Sequence, residues 1–248
     1  MSAPILLLDA GNTRLKWAVL EQGTRHDGIA DYASLSVPPW PDLPFGRVLG
    51  CNVAGPERAA VLAALLPDLA IEWLRSSAKA AGVENGYREP ERLGTDRWAA
   101  LIGARAITHE PTLVAMAGTA LTVDALDGNG RFLGGVIVPG YRLMRESLAR
   151  GTADLGHPDG ERTAFPRSTG EAIVNGAEVA LVGAVLVMHD RLTAVAGGTP
   201  GLLLSGGDAP RLLTLLSSVL AGKVRHVDNL VLAGLARLAV EISEDTAR

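Results

Sequence analysis

The chain has 248 residues, 48% of them hydrophobic and 20% charged, enough for one large domain or two modest ones with a sizeable core. Its 23 basic and 27 acidic residues give a net charge of −4, which argues against a nucleic-acid binder. A single cysteine, Cys51, permits no internal disulfide and fits a reducing, cytoplasmic setting.

The opening MSAPILLLDAGN holds an apolar run of four residues with no basic stretch before it, and reads as neither signal peptide nor anchor. Ile5 to Leu8 reads as a strand buried on both faces, followed by the turn Ala10–Gly11–Asn12–Thr13. Leu15, Trp17 and Val19 alternate with Arg14, Lys16 and Ala18 as a second strand. Pro38 to Pro44 is a proline-rich connection. Strands are expected over 48–53 and 70–74, with a helix between them started by Pro56. Lys79 to Leu93 is polar and glycine-containing, and reads as a loop. Thr95 is the expected cap of a helix over 96–107, with Asp96 in its first turn.

Beyond Pro111 the pattern starts again. Leu113 to Met116 is an apolar strand, Ala117–Gly118–Thr119 a turn, and Leu121 to Leu126 a strand. Asp127–Gly128–Asn129–Gly130 signals a hairpin into a strand over 131–138. A helix is expected over 141–150 and a loop over 151–166. Ser168 or Thr169 then caps a long helix to about Leu192. Its core, Val179 to Met188, is the longest apolar run, too short to span a bilayer and read as buried. A strand over 202–204 ends in Ser205–Gly206–Gly207–Asp208, and helices near 211–220 and 230–243 follow. The repeat of strand, glycine turn and strand suggests two similar α/β domains, 1–111 and 112–248, facing each other across a cleft.

Four segments carry chemistry. In Asp9–Ala10–Gly11–Asn12–Thr13, with Lys16 beyond, Gly11 lets backbone approach an anion. Turn amides, Asn12 and Thr13 can donate to phosphate, Lys16 can add a cation, and Asp9 can hold Mg²⁺. The plain alternative is a tight hairpin with a capping aspartate. Ala117 to Thr122, followed by Asp124, is a second glycine–hydroxyl turn. Alone it reads as structural; paired with the first it can grip one polyphosphate from the other side. Ser205 to Asp208 offers flat backbone to an adenine or ribose, or is a simple strand-to-helix turn. Gly94–Thr95–Asp96–Arg97, preceded by Tyr87, puts a carboxylate beside a guanidinium. Arg97 can bind a carboxylate and Asp96 can accept a hydroxyl proton, unless Asp96 only favours the helix dipole. His26, His109, His157, His189 and His226 show no metal-ligand spacing. Gly176, Ala180, Gly183 and Ala184 line one helix with small residues, for close packing in the core or at a dimer contact.

With these segments in order, the chain resembles the type III pantothenate kinases, within the superfamily of acetate kinases, sugar kinases, heat-shock chaperones and actin. DAGNTRLK (9–16), GYREPERLGTDR (86–97), AGTALT (117–122), GGVIVPG (134–140) and STGEAI (168–173) carry the resemblance, which covers nearly the whole chain. It implies two ribonuclease H-like, actin-like domains with mixed sheets flanked by helices and nucleotide in the interdomain cleft. It further implies transfer of the ATP γ-phosphate to the primary hydroxyl of pantothenate, the first step of coenzyme A synthesis. Asp96 is the implied proton acceptor, and Tyr87, Gly94, Thr95, Asp96, Arg97 and Thr169 the implied pantothenate contacts. Asp9, Ala10, Gly11, Asn12, Thr13, Arg14, Leu15, Lys16 and Thr119 are the implied ATP contacts. A homodimer, Mg²⁺ and a monovalent cation, K⁺ or NH₄⁺, are implied with them. Met116 stands where many members carry an aspartate for K⁺, and a thioether is a poor ligand for a hard cation. A nucleotide-binding transcriptional accessory factor without kinase activity is the alternative, and a sugar kinase or polyphosphatase a third reading. The tyrosine and arginine of the 86–97 segment suit a small acid better than a sugar.

Overall fold

The computed structural model describes residues 3–151, 159–220 and 222–246. In chain order the strands are β1 (Ile5–Ala10), β2 (Arg14–Glu21), β3 (Thr24–Asp31), β4 (Arg47–Asn52), β5 (Ile71–Trp73), β6 (Lys79–Ala80) and β7 (Val83–Asn85). After them come β8 (Thr112–Ala117), β9 (Ala120–Leu126), β10 (Arg131–Pro139), β11 (Gly201–Ser205) and β12 (Val224–His226). The helices are α1 (Pro56–Ala64), α2 (Thr95–Ile107), α3 (Tyr141–Gly151), α4 (Thr169–Ala196), α5 (Ala209–Leu216) and α6 (Leu230–Thr246). Two compact units result: Met1–His109 with Asn129–Phe132 and Asn229–Arg248, and Glu110–Gly128 with Leu133–Asp228.

The first unit is built on the sheet β3-β2-β1-β4-β5. Strands β1, β4 and β5 run parallel, while β2 and β3 return antiparallel. Leu6, Leu7 and Leu8 are fully buried, as their continuous apolar run requires of a central strand. Strand β3 is absent from the sequence reading because Thr24–Asp31 has no apolar alternation and is exposed along much of its length. It forms because Gln22 and Gly23 both take positive φ, at 51° and 80°, the hand a tight hairpin needs. The loop expected over 79–93 likewise contains the hairpin β6–β7, turned at Ala81 and Gly82, and a 3₁₀ turn at Pro90–Arg92.

Helix α6 packs on α2, β1 and β4 in this unit, although its residues fall in the second half of the sequence. The two helices cross closely at Gly103 and Gly234. A Cβ on Gly103 would meet the Gly234 amide nitrogen at 3.0 Å, and one on Gly234 would press on the backbone of Ala99.

The second unit pairs β8 antiparallel to β9 and parallel to β11, with β12 parallel beyond. Leu113, Ala115, Leu121, Val123, Leu202 and Leu204 pack against Leu181, Val185, Met188 and Leu192 of α4. The Ser168 side chain accepts the Glu171 N–H at 3.3 Å, and Glu171 accepts the Arg167 N–H, so Ser168 caps α4. Val179–Met188 sits inside this 28-residue helix, which by length and composition alone could cross a membrane; half of its most apolar window is buried within the unit. It is not buried all round, since Val179 and Val187 are 70% and 51% exposed.

Candidate active site

In the first unit the chemistry gathers where β1 and β4 end and α2 begins. Asp9 pairs in register with Lys16 of β2 on one side and Cys51 of β4 on the other. Its carboxyl is buried, which raises its pKa to about 6; Lys16 pulls it down and nearby Asp96 pushes it up. The Cys51 Sγ and Thr95 Oγ1 lie 3.3 Å apart in a hydrogen bond that either can donate. Burial, Asp9 and Asp96 push the Cys51 thiol well above its ordinary range, so it stays protonated.

Thr95 therefore does not cap α2. Gly94 takes the N-cap position and Thr95 opens the helix, its hydroxyl turned to Cys51. The Arg97 N–H is instead satisfied by the Asp96 Oδ1 at 2.8 Å, which fixes that carboxylate at the helix start.

The turn between β1 and β2 leaves Asn12, Thr13 and Arg14 exposed, while the side chains of Ala10 and Leu15 are in the core. Any contact that Ala10 or Leu15 makes with a ligand is thus by backbone. Arg14 is engaged by Asp31 of β3 at 3.1 Å. Tyr32, which sequence reasoning passed over, donates its hydroxyl to the Gly11 carbonyl at 2.9 Å and lies under the Arg58 guanidinium. Burial and the Asp9 charge push the Tyr32 hydroxyl up to about 12, against the pull of Arg58. No local signal marks Tyr32, because its role depends on β3.

Arg97 is 4% exposed and donates to the Tyr87 hydroxyl at 2.7 Å. Its guanidinium is 5.5 and 5.8 Å from the ring centres of Tyr87 and Phe132, and the two rings are 5.5 Å apart. Asn85 fixes the loop beneath them: its amide donates to Ser77 and Pro90 carbonyls and its oxygen accepts the Tyr87 N–H. Ser76 ties the far end through a 2.8 Å bond to the Leu93 carbonyl.

In the second unit the turn after β8 is tightly built. The Gly140 N–H donates to the Thr119 carbonyl and the Asp208 N–H to the Ala117 carbonyl, both near 3 Å. Gly206, at φ +104°, presses on Ala117, and a Cβ there would not fit. The turns 117–119 and 205–208 are thereby joined to each other and to Gly140. Thr119 is exposed on this turn, and Thr169 is exposed at the first position of α4.

A divalent cation fits the first group. Asp9 is a buried carboxylate beside a second one, Asp96, and Mg²⁺ takes one or two carboxylates with the rest of its shell from phosphate and water. Among the described residues no three His, Cys, Asp or Glu side chains gather to hold a metal unaided. A monovalent cation at position 116 does not fit. Met116 is flanked in register by Thr122 and Ser205, and the Thr122 hydroxyl is buried with no partner among the described residues, so the row offers a thioether and hydroxyls but no carboxylate.

The fold is actin-like, with mixed sheets flanked by helices. A structure described as a Baf family transcriptional activator from Campylobacter jejuni superposes with a TM-score of 0.64 at 20% identity, covering 96% of this chain and 99% of that one. A structure described as a 2-dehydro-3-deoxygalactonokinase from Sinorhizobium meliloti superposes at 0.59 with 19% identity, covering 96% and 99%. The sequence profile of the type III pantothenate kinases matches residues 5–191. Type III pantothenate kinases of Laribacter hongkongensis and Thiobacillus denitrificans are each 46% identical, over 95% and 96% of this chain and 98% of their own lengths. The chain belongs to the type III pantothenate kinase family.

Proposed function

We propose that this kinase moves the γ-phosphate of ATP to the primary hydroxyl of pantothenate, giving 4′-phosphopantothenate for coenzyme A synthesis. The observation that carries the reading is the start of α2, where the Asp96 carboxylate is fixed beside the buried Arg97, itself bonded to Tyr87, and close to Asp9.

The turn at 9–16 and Thr119 hold the phosphates through backbone N–H groups, hydroxyls and Lys16. Asp9 is the residue that would hold Mg²⁺, which when bound offsets charge on the phosphate oxygens. Tyr87, Gly94, Thr95 and Arg97 receive pantothenate, with Arg97 toward its carboxylate, and Thr169 is a further contact. Asp96 Oδ1 is occupied by the Arg97 N–H, so Oδ2 is the oxygen that orients the hydroxyl and takes its proton. When the transition state is loose and the proton leaves late, positioning of the hydroxyl counts for more than the strength of the base.

The working assembly is a cytoplasmic homodimer. Gly176, Val179, Ala180, Gly183 and Val187 form an uncharged strip along α4; Val179 and Val187 are largely exposed, and nothing lies within 4 Å of where a Cβ would stand on either glycine. Such a strip suits close packing of a second copy.

An ADP-release assay with ATP, Mg²⁺ and pantothenate tests the reading. Turnover that depends on pantothenate supports it. Nucleotide binding without turnover would move the chain to the accessory-factor reading.

A further inference from the structure

The structure assigns to Glu178 a positioning role in this transfer. Through Arg162 it holds the segment that leads to Thr169, and through Arg211 the helix that follows the 205–208 turn. The inference rests on the reading above, in which Thr169 meets pantothenate and Thr119 the ATP phosphates, the 205–208 turn being bonded to the 117–119 turn that carries Thr119.

Glu178 is on α4, its side chain 5% exposed. Its Oε1 accepts from Arg162 and from Arg211, and its Oε2 from the Arg162 Nε, each at 2.7 Å. The Arg162 fork is thus bidentate, the strongest form of this pair. Burial pushes the Glu178 carboxyl up, but the bonds and charges of the two arginines outweigh it and hold it below the ordinary range. A carboxylate so buried is a costly way to stabilise a helix that is otherwise apolar here; well-packed leucine would serve stability as well. What a leucine cannot do is tie three separate segments to one point.

Those segments lead to the proposed ligand contacts. Arg162 lies in the stretch before α4, and one turn back from Glu178 the Asn175 side chain accepts the Thr163 N–H and donates to the Glu161 carbonyl. Residues 161–163 are therefore laid along α4 by side chain and backbone together, a short way before Ser168 and Thr169. Arg211 lies in α5, whose N-terminal Asp208 is bonded to Ala117. Its guanidinium stacks 3.9 Å from the Tyr141 ring centre, and Tyr141 follows Gly140, which is bonded to Thr119. One carboxylate thus sets Thr169 on one arm and the 117–119 and 205–208 turns on the other.

The arms can be cut separately. In Arg162→Met the Glu178–Arg211 bond remains. The KM for pantothenate should rise about tenfold while the KM for ATP stays within about twofold. In Arg211→Met the KM for ATP should rise about tenfold with the pantothenate value held within about twofold. Arg162→Lys should recover part of the loss. A merely structural pair would lower the melting temperature but leave both KM values of the folded variants at the parent level, and that result would overturn the assignment. So would both variants raising both KM values alike. If the parent enzyme shows no turnover with pantothenate, the functional reading fails on its own account. Hydrogen exchange then judges the clamp: in Arg162→Met the Thr163 amide, bonded to Asn175, should exchange at least about tenfold faster, with β8 and β11 unchanged, and unchanged exchange at Thr163 would refute it.

Discussion

The Arg97 guanidinium donates to the Tyr87 hydroxyl at 2.7 Å and is enclosed by the Tyr87 and Phe132 rings. A cation this buried depends on its acceptor and on the flat faces around it. Tyr87→Phe removes an acceptor from it and should cost about 1–3 kcal/mol of stability. Arg97→Lys keeps charge but loses the planar fork, and should raise the KM for pantothenate about tenfold or more with a smaller change for ATP. Steady-state kinetics and thermal melts of the two variants check both effects.

Asp96→Asn keeps the size of the side chain and its acceptor for the Arg97 N–H but cannot take a proton. It should lower kcat about a hundredfold or more, with pantothenate affinity less affected. Turnover close to the parent's would remove Asp96 from the proton-accepting role.

Asp9 has a pKa near 6 in the fold against 3.8 in its ordinary state. Its folded form binds the proton more tightly than the unfolded chain does. The ligand-free protein therefore loses stability as pH rises from about 4 to about 6, and the loss, about 3 kcal/mol, is complete above that window. Asp9→Asn removes the buried charge. It should raise the melting temperature of the ligand-free protein at pH 8, with a gain that shrinks toward pH 4, while abolishing kinase activity. A variant no more stable at pH 8 than its parent would count against a buried, ionised Asp9.

Met116 offers no carboxylate to a hard cation. Initial rates in KCl, NH₄Cl and NaCl should agree within about twofold, and Met116→Asp should introduce a preference for K⁺. Strong stimulation of the parent enzyme by K⁺ would show that other groups supply the cation site.

The main strands and helices were legible wherever a continuous apolar run or a helical period met a glycine turn. Elements held by partners rather than by their own pattern were not. Strand β3 is mostly exposed and exists because β2 offers it a ladder, and β12 is a three-residue strand set beside β11. Thr95 is a good capping residue by type, but it finds Cys51 44 positions away and leaves the cap of α2 to Gly94. Asp9, Asp96 and Arg97 could be singled out from short motifs, since each follows a strand end or opens a helix. Tyr32, Arg58 and Glu178 could not, because what they touch is set by tertiary structure: the Gly11 carbonyl, a tyrosine ring, and arginines 16 positions before and 33 after.

The close crossing of α2 and α6 has a consequence for how the protein comes off the ribosome. The helix that presents Asp96 and Arg97 is made well before the backbone that covers Ala99 and Gly103, which arrives only with Leu230 and Gly234. Until then one flank of α2 has no cover, and the site cannot mature during translation of its own segment. Final assembly of the catalytic end is thereby deferred until the second unit has been made, and a chain cut short before 230 would hold every proposed catalytic residue yet lack the support that keeps them in place.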